Sequence, residues 1–365
     1  MKKKSYILLA CSLLALTACE KEVEFQAPDV EAASNVTLNA IAAVGEPLRV
    51  YLNKAYTVGQ TPQINIGYQY AFSKNDALGD YQTKTYYKRT AIFDAEVRAV
   101  VNGQQTYNLT LADDSLGYLC DYRPKVGDHI EVLAGDVHVE TTVPPSPQIE
   151  ILNHEVLAEN PYRYVEGGTR YETDSIMRIT CRIPATSTVQ YYRLRVRGER
   201  KITTATIWSS PFSMDSTKYA YYSMQDIYFS EDDLFSDNRL TEGFGGWPAY
   251  FSDVFDHTKM GNGNYTFTID SPKPPASSVA YDLQSGFISI AMIEQLDEPD
   301  VPARVMVELQ AISPEFYHYL KSVELYRVTK SDVFSEPVQI YSNVQNGWGI
   351  FGALSYVRHF VEYGE

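Results

Sequence analysis

The sequence predicts a mainly β chain with two β-rich domains and one helix. Three observations support this fold class. Apolar and polar residues alternate over many short segments, which is the period of a half-buried strand. Turn-forming residues separate these segments. The 29 tyrosines and 15 phenylalanines are of types that favour strands.

The strands predicted for the first domain occupy 36–40, 48–52, 95–101 and 104–109, followed by a hairpin at 129–140. Asn102-Gly103 joins two of them, and this dipeptide favours a tight hairpin turn. A second turn at Gly135-Asp136 would pair Glu131 with Glu140 and put the apolar residues of both strands on one face.

Residues 143–147, Val-Pro-Pro-Ser-Pro, predict a stiff linker between the domains. Beyond it, strands are predicted at 148–152, 175–183, 191–196, 265–269, 286–292 and 304–312. The stretch between Gly198 and Tyr265 is dense in glycine, serine, aspartate and aromatic residues, so we expect loops with short strands there.

One helix is predicted after the last of these strands. Ser313 can cap it, Pro314 suits the first turn, and Glu315 complements the helix dipole. One helix face carries Phe316, Leu320, Val323 and Tyr326.

The first 19 residues resemble a bacterial lipoprotein signal. Three lysines precede an apolar run at 6–16, and Leu16-Thr17-Ala18-Cys19 is similar to a lipobox. We therefore expect residues 1–18 to be removed and Cys19 to be acylated. Residues 19–33 would then form an acidic tether. An ordinary secretory signal with an incidental cysteine is the alternative.

The net charge limits which partners we expect, and the cysteine content limits which disulfides can form. The formal charge of −15 becomes −18 when the three lysines of residues 1–18 are removed. So acidic a chain is repelled by nucleic acid, and we expect no nucleic-acid partner. Cys120 and Cys181 are expected to be buried free thiols, with a disulfide between them as the alternative.

The C-terminal segments 312–320, 334–338 and 343–352, together with Tyr191-Tyr192-Arg193-Leu194 and the lipobox, resemble a Bacteroidetes lipoprotein family, domain of unknown function 4249. The resemblance implies an immunoglobulin-like β-sandwich, expected at 34–143, and a second β-rich domain. With the proline-rich linker at 144–148, we expect this second domain, a larger sandwich-type domain with long loops, at 149–365. It also implies a lipid-anchored position on the outer membrane, facing the cell exterior, beside a TonB-dependent β-barrel transporter. The family supplies no catalytic residues.

No enzyme motif has the context that its chemistry needs. Residues 347–352 satisfy G-x-G-x-x-G, but a dinucleotide site needs a βαβ unit of about 30 residues and only 13 residues follow Gly352. We interpret this segment as rich in turns, with glycine supplying positive φ. G-x-S-x-G, H-E-x-x-H and Walker-type loops are absent from the sequence. We predict a protein without enzymatic activity or cofactor.

The outer face of the second hairpin carries His129, Glu131, His138 and Glu140. In the predicted register the two histidines lie four residues apart along the ladder, about 13 Å at 3.3 Å per residue, so one ion cannot bridge both. We expect a solvated face and no metal site, with a weak divalent-cation site as the alternative.

Other charged groups have similar alternatives. The acids at 231–233, 237, 253 and 256 lack the spacing of a calcium loop, so exposed acidic loops are expected. Arg193, Arg195 and Arg197 alternate along one strand. We expect them to pair with acids across the sheet, with an anionic ligand as the alternative.

Aromatic residues in glycine-rich segments are the candidate binding residues. Phe244, Trp247 and Tyr250 lie in a predicted loop, and Trp348 lies between two glycines. Exposed rings would anchor a partner, a glycan or a peptide. Rings packed back on the sandwich would close its end.

These observations predict an accessory binding lipoprotein that serves a TonB-dependent transporter. A cell-surface adhesin or structural module is the alternative, and an enzyme is the third. An adjacent transporter gene would favour the first class. Isolated or fimbria-linked loci would favour the second.

The anchor gives the first test. Because Cys19 is the expected acylation point, Cys19→Ala should abolish fatty-acid labelling and release the protein from membranes. Metabolic labelling with a clickable fatty acid measures this directly. Continued labelling of the variant would contradict the lipoprotein prediction.

Overall fold

The structure, a computed structural model, describes residues 36–54, 91–113, 117–158, 175–186, 190–210, 213–225, 228, 230–237, 250–272, 292–297, 303–329 and 338–363. The strands are β1 (Val36–Ala43), β2 (Arg49–Lys54), β3 (Val97–Val101), β4 (Gln105–Leu111), β5 (Tyr118–Leu119), β6 (His129–Ala134), β7 (Val137–Thr142), β8 (Glu150–Leu157), β9 (Ile176–Ile183), β10 (Tyr191–Ser210), β11 (Ser213–Gln225), β12 (Ser236–Asp237), β13 (Tyr250–Phe251), β14 (Val254–Asp256), β15 (Tyr265–Pro272), β16 (Met292–Asp297), β17 (Arg304–Ile312) and β18 (Trp348–Glu362). One α-helix, α1 (Pro314–Thr329), occurs in this described part. The predicted mainly β class is confirmed.

Most strands lie along one long sheet path, β11-β10-β17-β18-β1-β2-β5-β4-β3-β6-β7. Strands β14 and β16 also pair with β10, and β8, β9 and β15 form a separate three-stranded sheet. Strand β18 is the junction, because it pairs antiparallel with β17 and parallel with β1.

The first core lies in the N-terminal part of the sheet path, where residues of β1 and β2 pack against residues of β3, β6 and β7. Strands β1 and β2 bury Leu38 and Val50 against Val97 of β3, Ile130 of β6 and Val139 of β7. Both predicted hairpins are confirmed. Asn102 and Gly103 have φ values of 53° and 64°, and Glu131 pairs with Glu140.

The second core lies between the three-stranded sheet and strands β10, β17 and β18. Strand β9 contributes Ile179 and Cys181, and β15 contributes Phe267. The opposite side includes Leu194 of β10 and Leu309 of β17, both fully buried. Because successive side chains of a strand point to opposite faces, one face of each of these strands lies in the core.

Strand β18 contributes to both cores. Phe351 and Ala353 are fully buried in the first core, and Val361 is buried in the second. The sequence interpretation of 347–352 as a turn-rich segment was wrong for residues 348–352, which form the beginning of this strand. Positive φ is found at Gly349, at 115°.

The glycines of β18 are required by close approach to neighbouring elements. A Cβ on Gly349 would lie 2.0 Å from the carbonyl oxygen of Leu38 in β1. A Cβ on Gly352 would lie 2.6 Å from the Cβ of Phe316 in α1. Glycine therefore lets β18 pair closely with β1 while α1 packs on its outer side.

Helix α1 begins as predicted. The Oγ of Ser313 accepts hydrogen bonds from the N–H groups of Phe316, at 3.4 Å, and Ala353, at 3.2 Å. The cap therefore also docks the helix onto β18. Phe316 is buried against Ile350, whereas Tyr326, at the far end of the predicted face, is 43% exposed.

The prediction of loops between Gly198 and Tyr265 was wrong in part. Strand β10 continues to Ser210, and β11 pairs with it from Gly198 to Ser210. The predicted strand at 286–292 lies outside the described residues except for Met292, which begins β16. Among described residues, no helix is long and apolar enough to cross a membrane.

The predicted domain division stays a prediction, and the predicted signal and tether lie outside the described residues. Strand β18 contacts the proline-rich segment 144–148 and the residue that follows it. Ser355 Oγ donates a hydrogen bond to the carbonyl of Pro145 at 2.8 Å, and His359 Nε2 lies 3.0 Å from the carbonyl oxygen of Ile149. The segment is thus packed along β18.

We expect Gly349→Ala and Gly352→Ala each to lower the free energy of unfolding by about 2–4 kcal/mol, from steric overlap and, at Gly349, positive φ. Gly263→Ala is the matched control, because its Cβ would meet nothing within 4 Å. It should change stability by less than about 0.5 kcal/mol. Urea denaturation measures all three. Wild-type stability of Gly349→Ala would contradict the close approach of β18 and β1.

Candidate binding surface

Trp348 lies at the start of β18, opposite Thr37 of β1, and is 44% exposed. It borders a cleft of about 480 Å³ that is also lined by Ile340, Tyr341 and Val344. Ile340 and Tyr341 are 38% and 36% exposed. Three large apolar side chains therefore face solvent at one place, a feature of binding surfaces. We call residues 339–348 the Trp348 cleft.

The backbone of the Trp348 cleft is fixed by polar contacts. Asn343 Nδ2 donates to the carbonyl oxygens of Phe351, at 3.0 Å, and Glu140, at 3.2 Å. Gln345 exchanges two backbone hydrogen bonds with His138 of β7. The N–H of Tyr341 donates to Ser322 Oγ of α1 at 2.9 Å. Contacts to β7, β18 and α1 therefore fix the backbone that carries the exposed rings.

A chain of aromatic contacts extends from this cleft across α1. The ring of Tyr341 lies 5.6 Å from that of His318, which lies 5.6 Å from Tyr317. Tyr317 stacks on Tyr191 of β10 with centroids 4.4 Å apart. Such ring pairs stabilise one another beyond the area that they bury. The row of rings therefore runs from the exposed cleft to the buried Tyr317 and connects the cleft to the packing between α1 and β10.

The other predicted aromatic residues are described only in part. Phe244 and Trp247 lie outside the described residues, and Tyr250 is placed by its backbone, which pairs with Asp237 in β12. Phe251 is 38% exposed and packs on Phe235, with ring centroids 5.6 Å apart. The ring of Phe251 therefore covers Phe235, which belongs to the second core.

A second cleft, of about 530 Å³, was not predicted from the sequence. It lies beside the Asn102-Gly103 turn and contains Tyr107 and Tyr122, whose ring centroids are 4.8 Å apart. Arg123 and Lys125 also line it. Tyr107 lies on β4 opposite Ala99 of β3, and Tyr122 comes from a separate loop. No local pattern in the sequence brings the two rings together.

Hydrogen bonds order the polar side of this second cleft. Asp128 accepts hydrogen bonds from Tyr122 Oη, from Asn102 Nδ2 at 2.9 Å and from the N–H of Lys125 at 2.8 Å. Burial acts to raise the pKa of Asp128, but these hydrogen bonds outweigh it and hold the pKa below its usual range. Burial and the contact with Asp128 raise the pKa of Tyr122. The carboxylate therefore stays charged and fixes the tyrosine.

The hairpin face of β6 and β7 has the predicted register, but its side chains converge. His129 Nε2 lies 3.5 Å from Glu140 Oε2 and 3.8 Å from Glu131 Oε1. His138 Nε2 lies 3.6 Å from Glu131 Oε2. The four groups are connected pairwise through imidazole–carboxylate contacts.

Arginine and acidic side chains from the second part of the chain have structural partners. Arg193 Nε lies 2.9 Å from Asp253 Oδ2, as expected for pairing with an acid. Asp232 caps a 3₁₀ helix and accepts a hydrogen bond from Tyr265. Asp256 caps a second one. Asp232 and Asp256 therefore stabilise the N-terminal ends of these two short helices.

A serine, a lysine and a glutamate meet between α1 and the segment before β14. Ser252 Oγ accepts a hydrogen bond from Lys321 Nζ at 3.0 Å and donates to Glu324 at 2.9 Å. Lys321 also pairs with Glu324 at 2.8 Å. Burial raises the pKa of Glu324. Because Ser252 is 1% exposed and Lys321 is paired with a carboxylate, this group stabilises the helix rather than presenting a nucleophile.

Cys120 and Cys181, the two cysteines in the described part of the chain, are free thiols, as predicted. Cys181 is fully buried in the second core, whereas Cys120 is only half-buried at the edge of the first, so the expectation of full burial was wrong for Cys120. Burial raises the pKa of Cys181 to about 12. Burial also raises the pKa of Cys120.

Two packed β cores and a fixed, exposed aromatic cleft define a mainly β protein with a surface suited to binding. The model of the family described as domain of unknown function (DUF4249) matches residues 21–359. The chain belongs to this family. Searches of curated proteins and of solved structures each found no match.

The thiols give a test of the second core. At pH 8 a pKa of about 12 leaves roughly one part in ten thousand of Cys181 as thiolate, and burial blocks access as well. In the Cys19→Ala background, maleimide should modify Cys120 slowly in the native protein and Cys181 only after denaturation. Peptide mass spectrometry distinguishes the two. Native modification of Cys181 at the rate of Cys120 would contradict its burial.

Proposed function

We propose that this protein is a lipid-anchored protein of the outer-membrane surface that binds a TonB-dependent β-barrel transporter as an accessory partner. The proposal assigns it no catalytic activity and no cofactor. Membership of the family supports the proposal, because the sequence resemblance to that family implies a position beside a TonB-dependent transporter. The lipobox-like segment ending at Cys19 supports the anchor.

The observation that carries the proposal is the Trp348 cleft. Its three large side chains are exposed on a backbone that hydrogen bonds fix to β7, β18 and α1. Partner binding to such a surface orders little additional backbone, so more of the contact energy contributes to affinity. Tryptophan and tyrosine are also the residue types that most often dominate protein interfaces.

A captured glycan or peptide is the second element of the proposal. The Tyr107–Tyr122 cleft offers two aromatic rings beside Asp128 and Arg123. Rings supply apolar contact area, and the charged groups supply hydrogen bonds, which is the usual composition of a small-ligand site. We therefore place the cargo at this cleft and the transporter at the Trp348 cleft.

The transporter contact is tested by co-purification from gently solubilised outer membranes. Trp348→Ala should weaken binding by about 30-fold, the equivalent of a hot-spot residue at about 2 kcal/mol. Its melting temperature should stay near wild type, because the side chain is half-exposed. Quantitative mass spectrometry of the recovered β-barrel measures the effect.

Phe360→Ala is the matched control. Phe360 is an equally exposed aromatic residue on the same strand, at 47%, but lies at the opposite end of β18. It should leave barrel recovery unchanged. Equal recovery with Trp348→Ala would remove the cleft from the contact. Recovery of no barrel with the wild-type protein would refute the transporter role and favour the adhesin alternative.

A further inference from the structure

The face of the β6–β7 hairpin combines the side chains that transition metals prefer. His129 and Glu131 project from β6, and Glu140 projects from β7 directly opposite Glu131. One ligand atom from each of these three residues lies within 4.8 Å of the other two. Imidazole nitrogen with carboxylate oxygen is a common donor set for Zn²⁺.

The separations are close to those of a metal site. Zn²⁺ binds nitrogen and oxygen ligands at about 2.0–2.2 Å, which places tetrahedral ligand atoms about 3.4 Å apart. His129 Nε2 lies 3.5 Å from Glu140 and 3.8 Å from Glu131. The ligand atoms of Glu131 and Glu140 lie within 4.8 Å of each other, so these side chains would rotate to reach the tetrahedral spacing. Water can reach the remaining position because all three side chains are partly exposed.

Groups behind the ligands orient the imidazole. His129 Nδ1 lies 3.2 Å from Thr142 Oγ1, and a hydrogen bond donated by Nδ1–H leaves the Nε2 lone pair directed at the carboxylates. The backbone N–H of His129 donates to Asn102 Oδ1 at 2.9 Å. Metal-binding histidines are commonly oriented in this way through their second nitrogen.

Electrostatics also favour a cation at this position. Two carboxylates directly opposite each other on antiparallel strands repel. Glu131 and Glu140 occupy such a pair, and His138 approaches Glu131 from the other side at 3.6 Å. A divalent ion between the carboxylates would neutralise both charges. Because imidazole takes part, the donor set selects Zn²⁺, Ni²⁺ or Cu²⁺ over Mg²⁺ and Ca²⁺.

We propose that His129 Nε2, Glu131 and Glu140 bind one divalent transition-metal ion, with water completing the coordination. The sequence argument against a metal site concerned one ion bridging His129 and His138. Three-residue coordination through His129 does not need that bridge. The site is independent of the proposed transporter contact.

Isothermal titration of the EDTA-treated full chain in detergent, with ZnCl₂ alone, tests the site. We expect saturable binding of one Zn²⁺ to the hairpin and no saturable heat with MgCl₂. His129→Ala, Glu131→Gln and Glu140→Gln should each weaken zinc binding by at least tenfold. Circular dichroism should show that each variant keeps the wild-type fold, because these side chains are partly exposed.

His154→Ala is the matched control, since His154 is an exposed histidine on another strand, β8. It should leave zinc affinity unchanged. Wild-type zinc affinity in all three ligand variants would overturn the proposal, whatever the result with His154→Ala. Absence of saturable zinc binding to the folded wild-type protein would also overturn it.

Discussion

Parallel pairing of β18 with β1 is the interaction on which the rest of the structure depends. Residues from Trp348 to Leu354 pair with residues 37–43, while the second half of the strand pairs with β17. The last strand of the second core therefore also forms part of the first core. Glycine at 349 and 352 is what permits the close contacts on its two sides.

The same strand connects stability with binding. Trp348 and Gly349 are neighbours, yet one side chain is half-exposed at a cleft and the other position has no room for a side chain. Val344, just before the strand, is buried in the first core and also lines the cleft. The backbone that carries the exposed rings is thus fixed by the interactions that join the cores, so the fold preorganises the backbone of the surface that we assign to the partner.

Local signals in the sequence were sufficient for several elements. The register of the β6–β7 hairpin follows from alternation plus a glycine turn, and the start of α1 follows from Ser313 and Pro314. Both are specified by residues within a few positions of each other. Their prediction needed no knowledge of the rest of the chain.

Features that depend on distant partners were not predicted. Residues 348–352 were interpreted as turns because glycines are frequent there, and only the approach of Leu38 and Phe316 explains those glycines. The length of β10 was missed because 198–265 was interpreted as one segment from its overall composition, although residues 202–208 are mostly isoleucine, threonine and tryptophan, which favour strands. Trp348 was predicted as a candidate from its flanking glycines, whereas the Tyr107–Tyr122 cleft combines a strand with a separate loop.

The central claim is that the first core requires the C-terminal strand. Thermal unfolding of residues 20–147 produced alone, followed by calorimetry and near-ultraviolet circular dichroism, tests it most directly. The fragment lacks Phe351 and Ala353, which are fully buried in that core, and leaves one edge of β1 unpaired. We predict that it shows no cooperative unfolding transition. A cooperative transition with native-like near-ultraviolet signal would contradict the claim and establish the N-terminal part as an independent domain.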